Sequence, residues 1–102
     1  MSWLVANPAP KSEQPWFVYL IRTKSNALYC GITNDVAKRF ATHQQGKGAK
    51  ALRGKGPLQL VWQQPAADKS QAAKIEYHIK QFAKAKKESL VADQSVVTLK
   101  DW

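Results

Sequence analysis

The chain has 102 residues, enough for one domain, with 44% apolar and 23% charged residues. Sixteen Lys and Arg against seven acids leave a net charge of +9, which points to a polyanionic partner, nucleic acid first and an anionic membrane second. The one cysteine, Cys30, excludes an internal disulfide framework and a cysteine-rich zinc site, and no apolar run approaches the ~18 residues of a membrane span.

Residues 1–15 contain Pro8, Pro10 and Pro15, lack a basic region followed by an apolar stretch, and read as a flexible arm on a cytoplasmic protein. Trp16–Arg22 is aromatic and β-branched and reads as a central strand. Thr23–Asn26 is a turn cluster, and Ala27–Ile32 closes a hairpin. Gly31 inside that second strand calls for a bulge or for a group lying close against the backbone.

Thr33 or Asn34 is expected to cap a helix running to about Gln45, with Val36 and Phe40 as its apolar stripe and Arg39 and His43 beside it. A basic loop follows, punctuated by Gly46, Gly48, Gly54 and Gly56. Leu58–Gln63 reads as a third strand ended by Pro65. Asp68 is expected to cap a helix over 69–87 whose stripe is Ala72, Ile75, Ile79, Phe82 and Ala83. Glu76 falls about 20° from Ala83 on the helical wheel, at the margin of that stripe. Residues 88–92 suggest one more helical turn, and 93–102 a C-terminal tail. The order ββαβαα makes residues 16–92 a small α+β domain with a three-stranded, mainly antiparallel sheet flanked by helices.

Five residues along this order carry chemistry. Tyr19 and Tyr29 lie one hairpin apart, Arg39 follows ten residues later, His43 one helical turn on, and Glu76 on the next helix. Each has a structural reading taken singly: Tyr19 as a packed strand residue, Arg39 as a solvated charge, Glu76 as the i,i+4 partner of Lys80. Together, in a chain this basic, they favour phosphodiester chemistry. Arg39 can grip a phosphate bidentately. Glu76 can hold one hard divalent ion. A tyrosine beside a cation can accept a proton from water, and His43 can position that water or shuttle the proton. The residues leave open which tyrosine does so. Cys30 reads as a packed strand residue.

Phe17-Val18-Tyr19 and Tyr29-Cys30-Gly31, followed by Arg39, His43 and Glu76, resemble the two tripeptides and later polar residues of the GIY-YIG endonucleases. The first tripeptide matches at its tyrosine and the second at Tyr29 and Gly31. The likeness covers about residues 16–92, and the size and the stretch Gly46–Gly56 are most similar to the short stand-alone bacterial members. Ile32 stands where some members carry a lysine, and no asparagine follows Asn34. The resemblance implies a nuclease fold, with Tyr19, Tyr29, Arg39, His43 and Glu76 as catalytic residues, Gly31 as a structural member of the motif, and one Mg²⁺ or Mn²⁺ on Glu76.

From Lys38 to Lys55 the chain carries Lys38, Arg39, Lys47, Lys50, Arg53 and Lys55 and no acid. Apart from Arg39, these basic residues are the expected nucleic-acid contacts, through phosphate rather than base edges. A second basic cluster is Lys80, Lys84, Lys86 and Lys87. DNA is the expected partner, with RNA as an alternative, no membrane, and a monomer as the default. The leading reading is a metal-dependent endonuclease of low sequence specificity, acting on plain, structured or damaged DNA. The rivals are a non-catalytic nucleic-acid-binding module on the same fold, and an interaction protein whose charge only aids solubility.

Overall fold

The structure, a computed structural model, describes residues 15–98. The arm expected over 1–15 lies outside the described residues except for Pro15, as do the last four residues of the tail. Strand β1, Trp16–Arg22, is central, with β2, Leu28–Thr33, on one side and β3, Gln59–Ala66, on the other, all antiparallel. Helix α1, Val36–Gln44, follows β2, while α2, Lys69–Lys80, and α3, Lys84–Asp93, follow β3. A single 3-10 turn, Lys50–Leu52, lies in the basic loop. This is the α+β architecture expected from the sequence.

Alternation along β1 gives the sheet two different faces. Val18 and Leu20 point to one, where α2 and α3 cover them with Ala72, Ile75, Ile79 and Leu90, beside Cys30 and Trp62. Tyr19 and Ile21 point to the other, packed with Leu52 and Leu58 and edged by Tyr29, Phe40 and Leu60. Among the described residues, no helix is long and apolar enough to cross a membrane.

Several local expectations are corrected. The N-cap of α1 is Asp35, whose carboxylate accepts from the Lys38 amide at 3.1 Å, while Thr33 Oγ1 accepts from the Asp35 amide. Pro65 does not end β3 but pairs opposite Phe17. It is tolerated because β3 is an edge strand, where a missing N–H costs no ladder bond. The bulge lies opposite Leu20 and Ile21 in β1, where the partners skip from Trp62 to Leu60, and not at Gly31.

The helix expected over 69–87 breaks after Lys80, and the turn expected over 88–92 belongs to a full helix, α3. Phe82 leaves the helical path to sit edge-on to His78, ring centroids 5.3 Å apart, beneath Lys86 Nζ at 4.3 Å. Ala83, expected on the buried stripe, is exposed and caps α3. The change of direction brings Leu90 into the core and Glu88 onto Arg22, which grips it bidentately at 2.7 and 2.8 Å. Asp68 caps α2 as expected, accepting from the Gln71 amide at 2.8 Å.

Beyond α3 the chain stays on the domain through residue 98. The Gln64 amide donates to Val97 O and accepts from Val97 N, and Trp62 Nε1 donates to Ser95 O. These side-chain bonds tie the segment after α3 to β3, and Gln94 Nε2 donates to the Val61 carbonyl on the strand itself.

Candidate active site

The hairpin register sets Tyr19 opposite Gly31, with Tyr29 two residues along on the same face. Their ring centroids are 6.5 Å apart. Tyr19 is buried, and its ring lies against the backbone of Gly31. A methyl group there would stand 2.5 Å from Tyr19 Oη and 2.6 Å from Cζ. Close approach, the second of the two readings of Gly31, is therefore what the fold uses. No larger residue fits without expelling a buried ring from the centre of the sheet.

Helix α1 brings Arg39 and His43 to this face. His43 Nε2 lies 2.8 Å from Tyr19 Oη, and its ring centroid is 5.9 Å from that of Tyr19 and 5.8 Å from that of Tyr29. The sequence places His43 at the edge of the stripe formed by Val36 and Phe40. In the structure those two are half-buried, and His43, 2% exposed, is the buried anchor of α1. Its ring is closed in from the far side by the loop: the Ala49 amide donates to Nδ1 at 3.2 Å. Arg39 is exposed and lies beside the Tyr19 hydroxyl, so its guanidinium meets both solvent and the ring cluster.

Burial dominates the ionisation of this group. It pushes the Tyr19 hydroxyl up to about 12 although the neighbouring Arg39 guanidinium pulls the other way, so Tyr19 is a phenol at neutral pH. Burial, aided by the positive charge of Arg39, lowers His43 below its ordinary value, which keeps the ring neutral.

Glu76 is carried by the other helical layer. It projects from α2, between buried Ile75 and Ile79, on the helical layer that covers Val18, Leu20 and Cys30. The carboxylate is 22% exposed and pairs with half-exposed Lys80 Nζ at 3.2 Å. It also acts on the Cys30 thiol, which burial first and this carboxylate second push up to about 12, as suits an inert packed residue. Among the described residues no three His, Cys, Asp or Glu side chains cluster to cage a metal. The donor set still fits Mg²⁺ or Mn²⁺, which bind through one or two carboxylates completed by water and phosphate oxygens. An ion pair this open to water gives way at little cost.

The basic loop is anchored on the ring face. Leu52 is buried against Tyr19 and Ile21, the Lys24 amide bonds to Lys55 O, and the Gly46 amide bonds to His43 O. Gly46 and Gly54 turn the chain at φ +78° and +71°, where side chains are strained. Lys38, Lys47, Lys50, Arg53 and Lys55 are all exposed. The second basic cluster is partly neutralised, since Lys80 pairs with Glu76 and Lys84 with Glu88. Of the five expected catalytic residues, the structure brings Tyr19, Tyr29, Arg39 and His43 together, while Glu76 lies on α2 with its carboxylate acting on the Cys30 thiol of β2. The role of the Ala49 amide was not legible in the sequence, where only the glycine before it hinted at a close contact.

Comparison with known proteins accords with this geometry. The GIY-YIG catalytic domain model matches residues 15–89. A UPF0213 protein of Vibrio cholerae is 68% identical over 79 residues, covering 76% of this chain and 78% of its own. The UPF0213 protein YhbQ of Escherichia coli is 60% identical, covering 78% and 79%. The solution NMR structure of a UPF0213 protein from Bacillus halodurans superposes with a TM-score of 0.50 at 40% identity, over 76% of this chain and 83% of that one. Since the domain match runs through every strand and the whole ring cluster, this chain belongs to the GIY-YIG family and carries its nuclease-type domain.

Proposed function

We propose that this protein is a divalent-metal-dependent endonuclease that hydrolyses DNA phosphodiester bonds with low sequence specificity, structured or damaged DNA included. The observation that carries the reading is the packing of two tyrosines, a histidine and an exposed arginine beside an anchored loop whose charged side chains are all basic. A phosphate drawn in by Lys38, Lys47, Lys50, Arg53 and Lys55 meets Arg39, which grips it bidentately and opposes the charge that develops as the attacking oxygen adds. Tyr19, held as a phenol, donates a hydrogen bond. Tyr29, half-buried at the rim of the cluster, is the better placed of the two to act as the phenolate that takes the proton of the attacking water. Glu76 would hold the Mg²⁺ or Mn²⁺, which when bound supplies Lewis-acid stabilisation of the phosphate.

The rival, a non-catalytic nucleic-acid-binding module on this fold, draws on Glu76 having no metal-ligating cluster around it among the described residues. One experiment decides between them. Purified protein is incubated with duplex, single-stranded, flapped and RNA substrates in Mg²⁺, Mn²⁺ or EDTA. The endonuclease reading expects metal-dependent cleavage that Glu76→Gln abolishes while fold and binding survive, because a neutral amide is a weak ligand for a hard cation. Tight binding with no cleavage in any metal establishes the binding module instead.

A further inference from the structure

We infer that the Gly48–Ala49 segment of the basic loop is a positioning element for Tyr19: the Ala49 amide holds His43 in its Nε2–H tautomer, so that the imidazole donates a hydrogen bond to the Tyr19 hydroxyl and does not take its proton. The direction follows from the donors. A backbone N–H can only donate, so Nδ1, 3.2 Å from Ala49 N, presents its lone pair. A neutral imidazole then carries its hydrogen on Nε2, and the 2.8 Å contact with Tyr19 Oη is Nε2–H to oxygen. The hydrogen of Tyr19 itself is thereby turned away from His43 and left for another acceptor.

The ring has no easy way to reverse this. A Cβ on Gly48 would lie 2.1 Å from Nδ1 and 2.8 Å from Cε1, so the loop backbone is pressed against the imidazole edge. The ring is 2% exposed, with Tyr19 at the opposite edge. Protonating Nδ1 would set two N–H groups head to head. The titratable and charged groups that meet the ring are Tyr19 from β1, Tyr29 from β2 and Arg39 from α1; the loop contributes backbone alone. None of them is an acid that could draw a proton onto the ring.

The inference refines the endonuclease reading and rests on it for its consequence. His43 becomes a positioning residue, with no turn as general base, and Tyr19 becomes a donor.

The test has two arms on the full chain. Long-range ¹H–¹⁵N NMR at neutral pH is expected to show His43 with an unprotonated Nδ1 and a protonated Nε2. An Nδ1–H tautomer or a doubly protonated ring overturns the inference, whether or not the protein cuts DNA. In the second arm, Gly48→Ala drives a methyl into Nδ1. Cleavage kcat of the folded protein is expected to fall roughly 10²-fold, the scale of a 1 Å misplacement, with KM little changed, the His43 signature altered and the melting temperature lowered by the shift of a buried ring. A wild-type kcat with an altered signature overturns the positioning role. A wild-type protein that cuts nothing sinks the endonuclease reading and leaves the tautomer to the NMR arm alone.

Discussion

The two faces of the sheet are built on opposite principles. The face under α2 and α3 buries Val18, Leu20, Cys30, Trp62, Ile75 and Ile79, and its one buried side-chain amide among the described residues, that of Gln64, is satisfied by the backbone of Val97. The face under α1 and the basic loop buries as deeply, yet it places a hydroxyl and an imidazole in its interior and satisfies them with each other and with one loop amide. Among the described residues, no buried side-chain polar atom lacks a partner. The apolar face can tolerate changes that conserve volume. The polar face depends on hydrogen-bond geometry, because an orphaned buried donor costs its full desolvation. The difference assigns stability chiefly to one face and chemistry to the other.

Substitutions on each side should separate those assignments. Leu20→Ala, at a fully buried position of the apolar face, is expected to destabilise by about 2–5 kcal/mol in urea unfolding. Remaining folded protein should keep its specific cleavage activity. A cost under about 1 kcal/mol would mean that this face is not the stabilising one.

Arg39→Ala on the polar face should do the reverse. The residue is exposed and alanine favours helix, so melting should hardly move. Cleavage is expected to fall by about 10²–10³-fold, as for loss of a comparable preorganised donor, with DNA binding weakened far less. Equal losses in binding and cleavage would reduce Arg39 to one more basic contact.

A smaller effect tests the loop itself. The log–log slope of DNA affinity against salt is expected to become shallower by about 0.9 for each phosphate contact removed by Lys50→Ala and Arg53→Ala. The same measurement on Lys84→Ala, whose ammonium is already paired with Glu88, should show less change. Equal changes would spread the binding surface over both faces.

The smallest expected effect belongs to the clamp between Arg22 and Glu88. The bidentate guanidinium, with Lys84 beside it, lowers the Glu88 carboxyl to about 2. A carboxyl depressed in the folded state stabilises above its unfolded value, near 4.3, and that contribution is lost as pH falls through the range down to about 2. Glu88→Gln should flatten this part of the acid-unfolding curve and leave stability above pH 5 changed only by a constant offset. An unaltered acid limb would show that the pair is not formed in solution.

The sequence by itself determined the strands, the hairpin, the Asp68 cap, the central place of β1 and the all-basic loop. Periodicity, turn chemistry and composition are local properties and can be read without a partner. It also allowed a hairpin to bring Tyr19 and Tyr29 to one region, and the register of that hairpin put them on one face. Tertiary structure decided what lies against each face. His43 reads as an edge residue on a helical wheel, and only the return of the loop to place Ala49 N on Nδ1 makes it an anchor. The break after Lys80 has no glycine or proline to announce it and follows from Phe82, Glu88 and Leu90 finding partners outside their own helix. Pro65 stays in β3 because that strand is an edge, a fact of sheet order. The wheel placed Glu76 at a margin, and packing left it partly exposed there, paired with Lys80. In the other cases the deciding contact joins segments whose meeting depends on the whole chain's path, which local periodicity does not encode.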